Sequence, residues 1–127
     1  MARATPVSVL LVEDEVLISN LVADWLSERG FAVHEVTTGD AALRYLESGE
    51  PVDLLFTDVD LPGKIDGAEL AQRARAQRPE LPIVYASGRY GVSDLGALVP
   101  RSIFLAKPYH RDDICTLLER LTAHTAH

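Results

Sequence analysis

A single cysteine in 127 residues, Cys115, leaves no partner within the chain and excludes a disulfide framework as well as a multi-cysteine zinc site. The four histidines are scattered, with no two at the helical spacing that lets a pair share a metal. Base is scarce too. Twelve Lys and Arg against 19 Asp and Glu give a net charge of −7, and a phosphate-binding surface needs the opposite sign, so nucleic acid is excluded as the main partner. No apolar run approaches the roughly 20 residues of a membrane span, and no long apolar segment of the signal-peptide kind follows Met-Ala-Arg-Ala-Thr-Pro. A cytoplasmic protein with no membrane partner is expected. What the chain does have is a 47% hydrophobic share, in a length that buries roughly two-thirds of its unfolded surface. That suits one domain over residues 1–127, with a core from about 7 to 122 and short tails.

Short apolar runs alternate with longer amphipathic stretches, the pattern of a parallel sheet with crossover helices. Val7 to Val12 is apolar almost throughout, as in a strand covered on both faces, and it stops at Glu13-Asp14-Glu15. A helix follows with Val16, Leu17, Leu21, Val22, Trp25 and Leu26 expected on one buried stripe and Gly30 as its stop. Phe31 to Val36 contains His34 and Glu35 and reads as an edge strand; Asp40 is the expected cap of a short helix closed by Gly49 and Pro51. Val52 to Thr57 runs into Asp58, and Asp66 with Glu69 forms a capping box opening a helix to about Gln77, beyond which Pro79 and Pro82 block continuation. Ile83 to Ala86 is a fourth strand, ending at Ser87-Gly88. Between Arg89 and Pro100, two glycines leave room for a short or irregular helix near Ser93 to Val99. Ser102 to Ala106 is a fifth strand meeting Lys107-Pro108. The last helix carries Ile114, Leu117, Leu118 and Leu121 on one stripe, with Asp112 and Asp113 at the positive end of its dipole and Cys115 partly buried. Trp25 is expected in the core and His34, His110, His124 and His127 at the surface.

In open parallel sheets the functional crevice lies beyond the carboxyl ends of the strands. Glu13 and Asp14 end the first strand, Asp58 the third, Ser87 the fourth and Lys107 the fifth. With strand order 2-1-3-4-5 the first and third strands are neighbours, and their three carboxylates converge. Such a cluster must share protons or hold a cation, and hard oxygen ligands suit Mg2+ better than zinc. Lys107, one of two lysines, ends an apolar strand where a solvated lysine is out of place, and Ser87 adds a hydroxyl. Taken singly, each has a plainer reading: a strand-end Asp as a cap, Ser87 as a turn hydroxyl, Lys107 as a snorkelling side chain. In combination they form a kit for phosphoryl transfer, where a protein positions groups and neutralises charge. Asp58-Val59-Asp60 also resembles the Asp-x-Asp of haloacid-dehalogenase-type phosphatases. Those are longer chains with the motif on their first strand, whereas here it lies on the third, after another acidic pair.

The full set is the acid pair, Asp58 after an apolar strand, Leu61-Pro62-Gly63-x-x-Asp66-Gly67, Ser87 followed by a small residue, and Lys107-Pro108. It resembles the receiver domain of bacterial two-component response regulators, over about residues 7 to 122. The resemblance implies an α/β, flavodoxin-like, doubly wound five-stranded parallel sheet of order 2-1-3-4-5 with five helices on both faces. It also implies that Asp58 takes a phosphoryl group from a phosphohistidine on a sensor histidine kinase or phosphotransfer protein. Asp14, Asp58 and the Asp60 backbone carbonyl would hold Mg2+, with Glu13 acting through water; Lys107 would bind the phosphoryl group and Ser87 would move toward it. Such a protein is no enzyme beyond weak autophosphatase activity, which Asp60 could modulate by orienting water. The segment Tyr85-Ala86-Ser87-Gly88-Arg89-Tyr90 resembles the Phe-Ala-Thr-Gly-x-Tyr of mostly single-domain receivers, leaving Arg89 to face the site or solvent. That subset usually lacks an aromatic three positions before the lysine that Lys107 matches, yet this chain has Phe104 there, either as core or as a rotamer switch. The loop from Leu61 to Gly67 is one residue longer than the common Met-Pro-Gly-Met-Asp-Gly. Output would pass through the face of the fourth helix, fifth strand and last helix to a protein target or a second copy. A phosphorylation-independent module, or the receiver of a larger hybrid kinase or regulator, is the alternative.

Overall fold

The computed structural model describes residues 6–88 and 99–123. Among these residues nine elements follow in chain order: β1 (Ser8–Val12), α1 (Val16–Glu28), β2 (Ala32–Val36), α2 (Gly39–Glu47), β3 (Leu54–Asp58), α3 (Gly67–Gln77), β4 (Ile83–Ser87), β5 (Ser102–Ala106) and α4 (Arg111–Leu121). The sheet runs β2-β1-β3-β4-β5, every pair parallel. This is the expected doubly wound order, with β2 on an edge. The helix expected near Ser93 to Val99 falls, up to residue 98, outside the described residues, as do Arg89, Tyr90, His124 and His127.

Strand alternation divides the core into two layers. Leu10, Val12, Leu55, Ile83 and Tyr85 face α2 and α3, meeting Leu43, Leu46, Leu70 and Ala74. Val9, Leu11, Leu54, Phe56 and Val84 face α1 and α4, meeting Val22, Leu26, Ile114 and Leu118. The central β3 and β4 are buried along their whole length, as a sheet covered on both sides requires. Arg75 ties α3 to the entry of β5, donating to the carbonyls of Leu81 (3.0 Å), Pro100 (2.6 Å) and Arg101 (3.2 Å).

Local details differ from the sequence expectation. The buried face of α1 is Ser19, Val22, Ala23 and Leu26, while Val16, Leu17 and Leu21 are 56%, 85% and 48% exposed. Ser19 is tolerated inside because its hydroxyl donates to Glu35 Oε1 at 2.7 Å, so the stripe turns away from three larger residues. Trp25 is half-buried at the margin. Thr38, not Asp40, caps α2: its Oγ1 accepts from the Ala41 amide at 3.1 Å, and Asp40 sits in the first turn. Asp66 caps α3 through the Glu69 amide at 2.8 Å, but the Glu69 carboxylate pairs with Arg73 at 2.6 Å. Cys115 is fully buried rather than partly so, its thiol 3.7 Å from the Trp25 carbonyl.

Candidate functional site

The strand ends meet as the topology demands. Glu13, directly after β1, is held by its amide on the Val36 carbonyl at 3.1 Å and is 3% exposed. Asp58 closes β3 and Ser87 closes β4, both buried. Lys107 follows β5, its amide donating to the Ser87 carbonyl at 2.9 Å. Its stem passes Gly88, where an added Cβ would lie 3.5 Å from Lys107 Cβ. The ammonium then reaches Glu13 Oε1 at 3.0 Å and Asp58 Oδ2 at 3.1 Å. Asp14 is exposed at the mouth, and carboxylate oxygens of Glu13, Asp14 and Asp58 lie within 4.8 Å of one another.

Charges this close shape one another. Burial works against the Lys107 ammonium, yet the hydrogen bonds and charges of Glu13 and Asp58 more than reverse that and raise its pKa. Burial pushes the Glu13 carboxyl up, with Asp58 adding to the effect, while the Glu15 amide and Lys107 restrain it. One ammonium thus offsets part of a three-carboxylate cluster, and the remaining negative charge suits a hard divalent cation on oxygen ligands.

The loop after β3 is pinned as well. The Asp60 amide donates to Asp58 Oδ1 at 3.3 Å, and the Gly67 amide donates to the Val59 carbonyl at 2.9 Å. Gly67 has to be glycine: a Cβ there would overlap the Asp58 carbonyl oxygen and lie 2.8 Å from Val59 Cα. Phe104 is half-buried against the α2–α3 layer, in register with Tyr85.

Glu13, Asp14, Asp58 and Lys107 are therefore brought together, with Ser87 on the adjoining strand end. The sequence-based set misses a groove beside them of about 430 Å³, lined by Ile18, Leu21, Trp25, Gly88, Pro108 and Tyr109. Tyr109 leans on Phe56 with ring centroids 6.0 Å apart, and burial, with the nearby carboxylates, pushes its phenol up to about 12 against the opposing pull of Lys107. A signal for this groove exists in the sequence. At 3.6 residues per turn the apolar side chains from Leu17 to Leu26 span about half of the helix circumference, more than one sheet can cover.

The sequence profile of the response regulator receiver domain matches residues 9–119. The chain belongs to the response regulator receiver family. This receiver is 33% identical to the nitrogen assimilation regulatory protein NtrX of Azorhizobium caulinodans, over 88% of its own length but only 25% of that protein's. It is 32% identical to the response regulator receiver protein CpdR of Brucella abortus, over 89% of this chain and 94% of that one. The crystal structure of a response regulator receiver protein from Sinorhizobium medicae superposes with a TM-score of 0.88 at 33% identity, covering 93% of this receiver and 95% of the other chain. Receiver domains bind Mg2+ at an acidic pocket, and Glu13, Asp14 and Asp58 make one here.

Proposed function

We propose that this receiver accepts a phosphoryl group on Asp58 from a phosphohistidine donor, with Mg2+ on Asp14, Asp58 and the Asp60 carbonyl and Glu13 acting through water. The observation that carries the reading is the Lys107 ammonium joined to both Glu13 and Asp58, because a cation fixed on the acceptor carboxylate is where a transferred phosphoryl oxygen needs charge. A carboxylate oxygen of Asp58 forms the new O–P bond as the P–N bond to the donor imidazole breaks, and the ring leaves with the electron pair. Mg2+, when bound, neutralises the charge shared by the carboxylates and the phosphoryl oxygens. Lys107 exchanges its contact with Asp58 for one with the phosphoryl group, and Ser87 supplies a hydroxyl from β4. Beryllofluoride with Mg2+, an acyl-phosphate mimic, is expected to shift the amide resonances of Ser87 and Lys107; an unchanged spectrum favours a phosphorylation-independent module.

The donor has to cover the mouth of a site whose acceptor is only 7% exposed. The apolar surface next to that mouth is the outer face of α1, with Val16, Leu17 and Leu21, and the adjoining groove to Tyr109. We infer that a helix of the histidine-bearing protein lies there with its own apolar face inward. Leu17→Glu is expected to slow transfer from a phosphorylated protein donor roughly tenfold or more and to leave labelling by acetyl phosphate unchanged. Equal rates from the protein donor contradict this docking surface.

The likeness to the receiver protein CpdR supports output in the cytoplasm through contact with a protein target. The partial match with NtrX supports the alternative of a receiver within a larger regulator. Asp60, two residues beyond the acceptor and half-buried, would orient water toward the acyl phosphate. Asp60→Ala is expected to change the half-life of the phosphorylated protein, measured by loss of the adduct; an unchanged half-life removes that role.

A further inference from the structure

We infer that Thr57 is a positioning residue for the phosphoacceptor, its hydroxyl fixing the peptide that joins Asp58 to the loop bearing the Asp60 carbonyl. Thr57 is fully buried in a strand whose other members before Asp58 are Leu54, Leu55 and Phe56. Valine has the same shape and would bury without a polar group to satisfy, so the hydroxyl has a cost that something must offset. It donates to the Asp58 carbonyl at 2.9 Å. The pairing of β1 with β3 ends at Val12–Thr57, so Asp58 stands one residue past that ladder, where a side chain can take over the hold on its carbonyl. The same oxygen is confined from the other side by Gly67, whose missing Cβ would overlap it.

With the hydroxyl on one side and the start of α3 on the other, the Asp58–Val59 peptide cannot rotate freely. The N–H of the same peptide, that of Val59, donates to the Ala86 carbonyl (3.0 Å), and its orientation sets the direction of the next residues, where the Asp60 amide donates to Asp58 Oδ1 (3.3 Å). Thr57 itself meets neither cation nor phosphoryl group. It acts through Asp58 and Asp60, as outer-shell partners act on metal ligands.

This inference rests on the proposed phosphoacceptor reading, and its test separates the two. Thr57→Val keeps shape and removes the hydroxyl, whereas Thr57→Ser restores the donor. Calorimetric titration with MgCl2 is expected to show about tenfold weaker binding for Thr57→Val, with Thr57→Ser near wild type. In the metal-free protein, amide exchange at Val59, Asp60 and Gly67 is expected to quicken in Thr57→Val alone. Wild-type Mg2+ affinity and exchange in Thr57→Val overturn the inference, as does equal impairment of both variants, which assigns the effect to shape. Failure of the wild-type protein to take a phosphoryl group contradicts the phosphoacceptor reading instead, and leaves the exchange comparison to decide the role of Thr57.

Discussion

Lys107→Met is expected to lose stability in the absence of divalent cation and to recover part of it on adding Mg2+. Glu13 and Asp58 are almost inaccessible, and the ammonium between them is only 21% exposed. Removing it leaves two buried carboxylates facing each other without compensation, a change that costs about 3 kcal/mol where one partner of a buried pair is deleted. A loss of that size lowers the melting temperature of a chain this long by about 10 °C. Protonation of Glu13, already favoured by its burial, limits the loss as pH falls. Mg2+ brings charge of the same sign to the same carboxylates, so its binding should survive and the Mg2+-induced rise in melting temperature should exceed that of wild type. Phosphoryl acceptance should fall on the order of a hundredfold, the usual result of deleting one group that stabilises developing charge. Thermal melts with and without MgCl2, and labelling rates with acetyl phosphate, check both parts. A variant as stable as wild type without cation contradicts the assigned role of Lys107.

Gly67→Ala is expected to damage the site from behind. The new Cβ has no room between the Asp58 carbonyl oxygen and Val59 Cα, both backbone atoms that cannot swing aside. Either α3 withdraws from the sheet or the end of β3 shifts, and overpacking of this kind costs about 3 kcal/mol. Both routes move Asp58 relative to Glu13 and Lys107. Melting temperature, Mg2+ affinity and phosphoryl acceptance should therefore fall together, measured by melts, calorimetry and labelling. Lost stability with full acceptance would show that α3 moves alone and that Asp58 does not depend on this contact.

The strand order and the converging strand ends are legible in the sequence because a sheet covered on both faces leaves few places for acids and a lysine. Glu13, Asp14, Asp58 and Lys107 fall at the ends of apolar runs, and one choice of strand order brings them together. Asp66 is legible as a cap because a turn containing proline and glycine precedes it. Asp40 misleads because Thr38, two residues earlier, has an equally good acceptor and takes the cap. α1 misleads for another reason: periodicity shows that an apolar face exists, but Ser19 reaches Glu35 and turns inward, leaving Leu17 and Leu21 outside. Thr57 and Tyr109 are silent in the sequence. The role of Thr57 depends on where the β1 ladder ends, and that of Tyr109 on its approach to Phe56, neither of which local pattern encodes.

Intact-mass measurement after incubation with acetyl phosphate and MgCl2 tests the central claim most directly. A single phosphoryl adduct on the wild-type protein, absent in Asp58→Asn and absent without divalent cation, is the predicted result. No adduct on wild type, or an adduct of equal yield on Asp58→Asn, contradicts Asp58 as the phosphoacceptor.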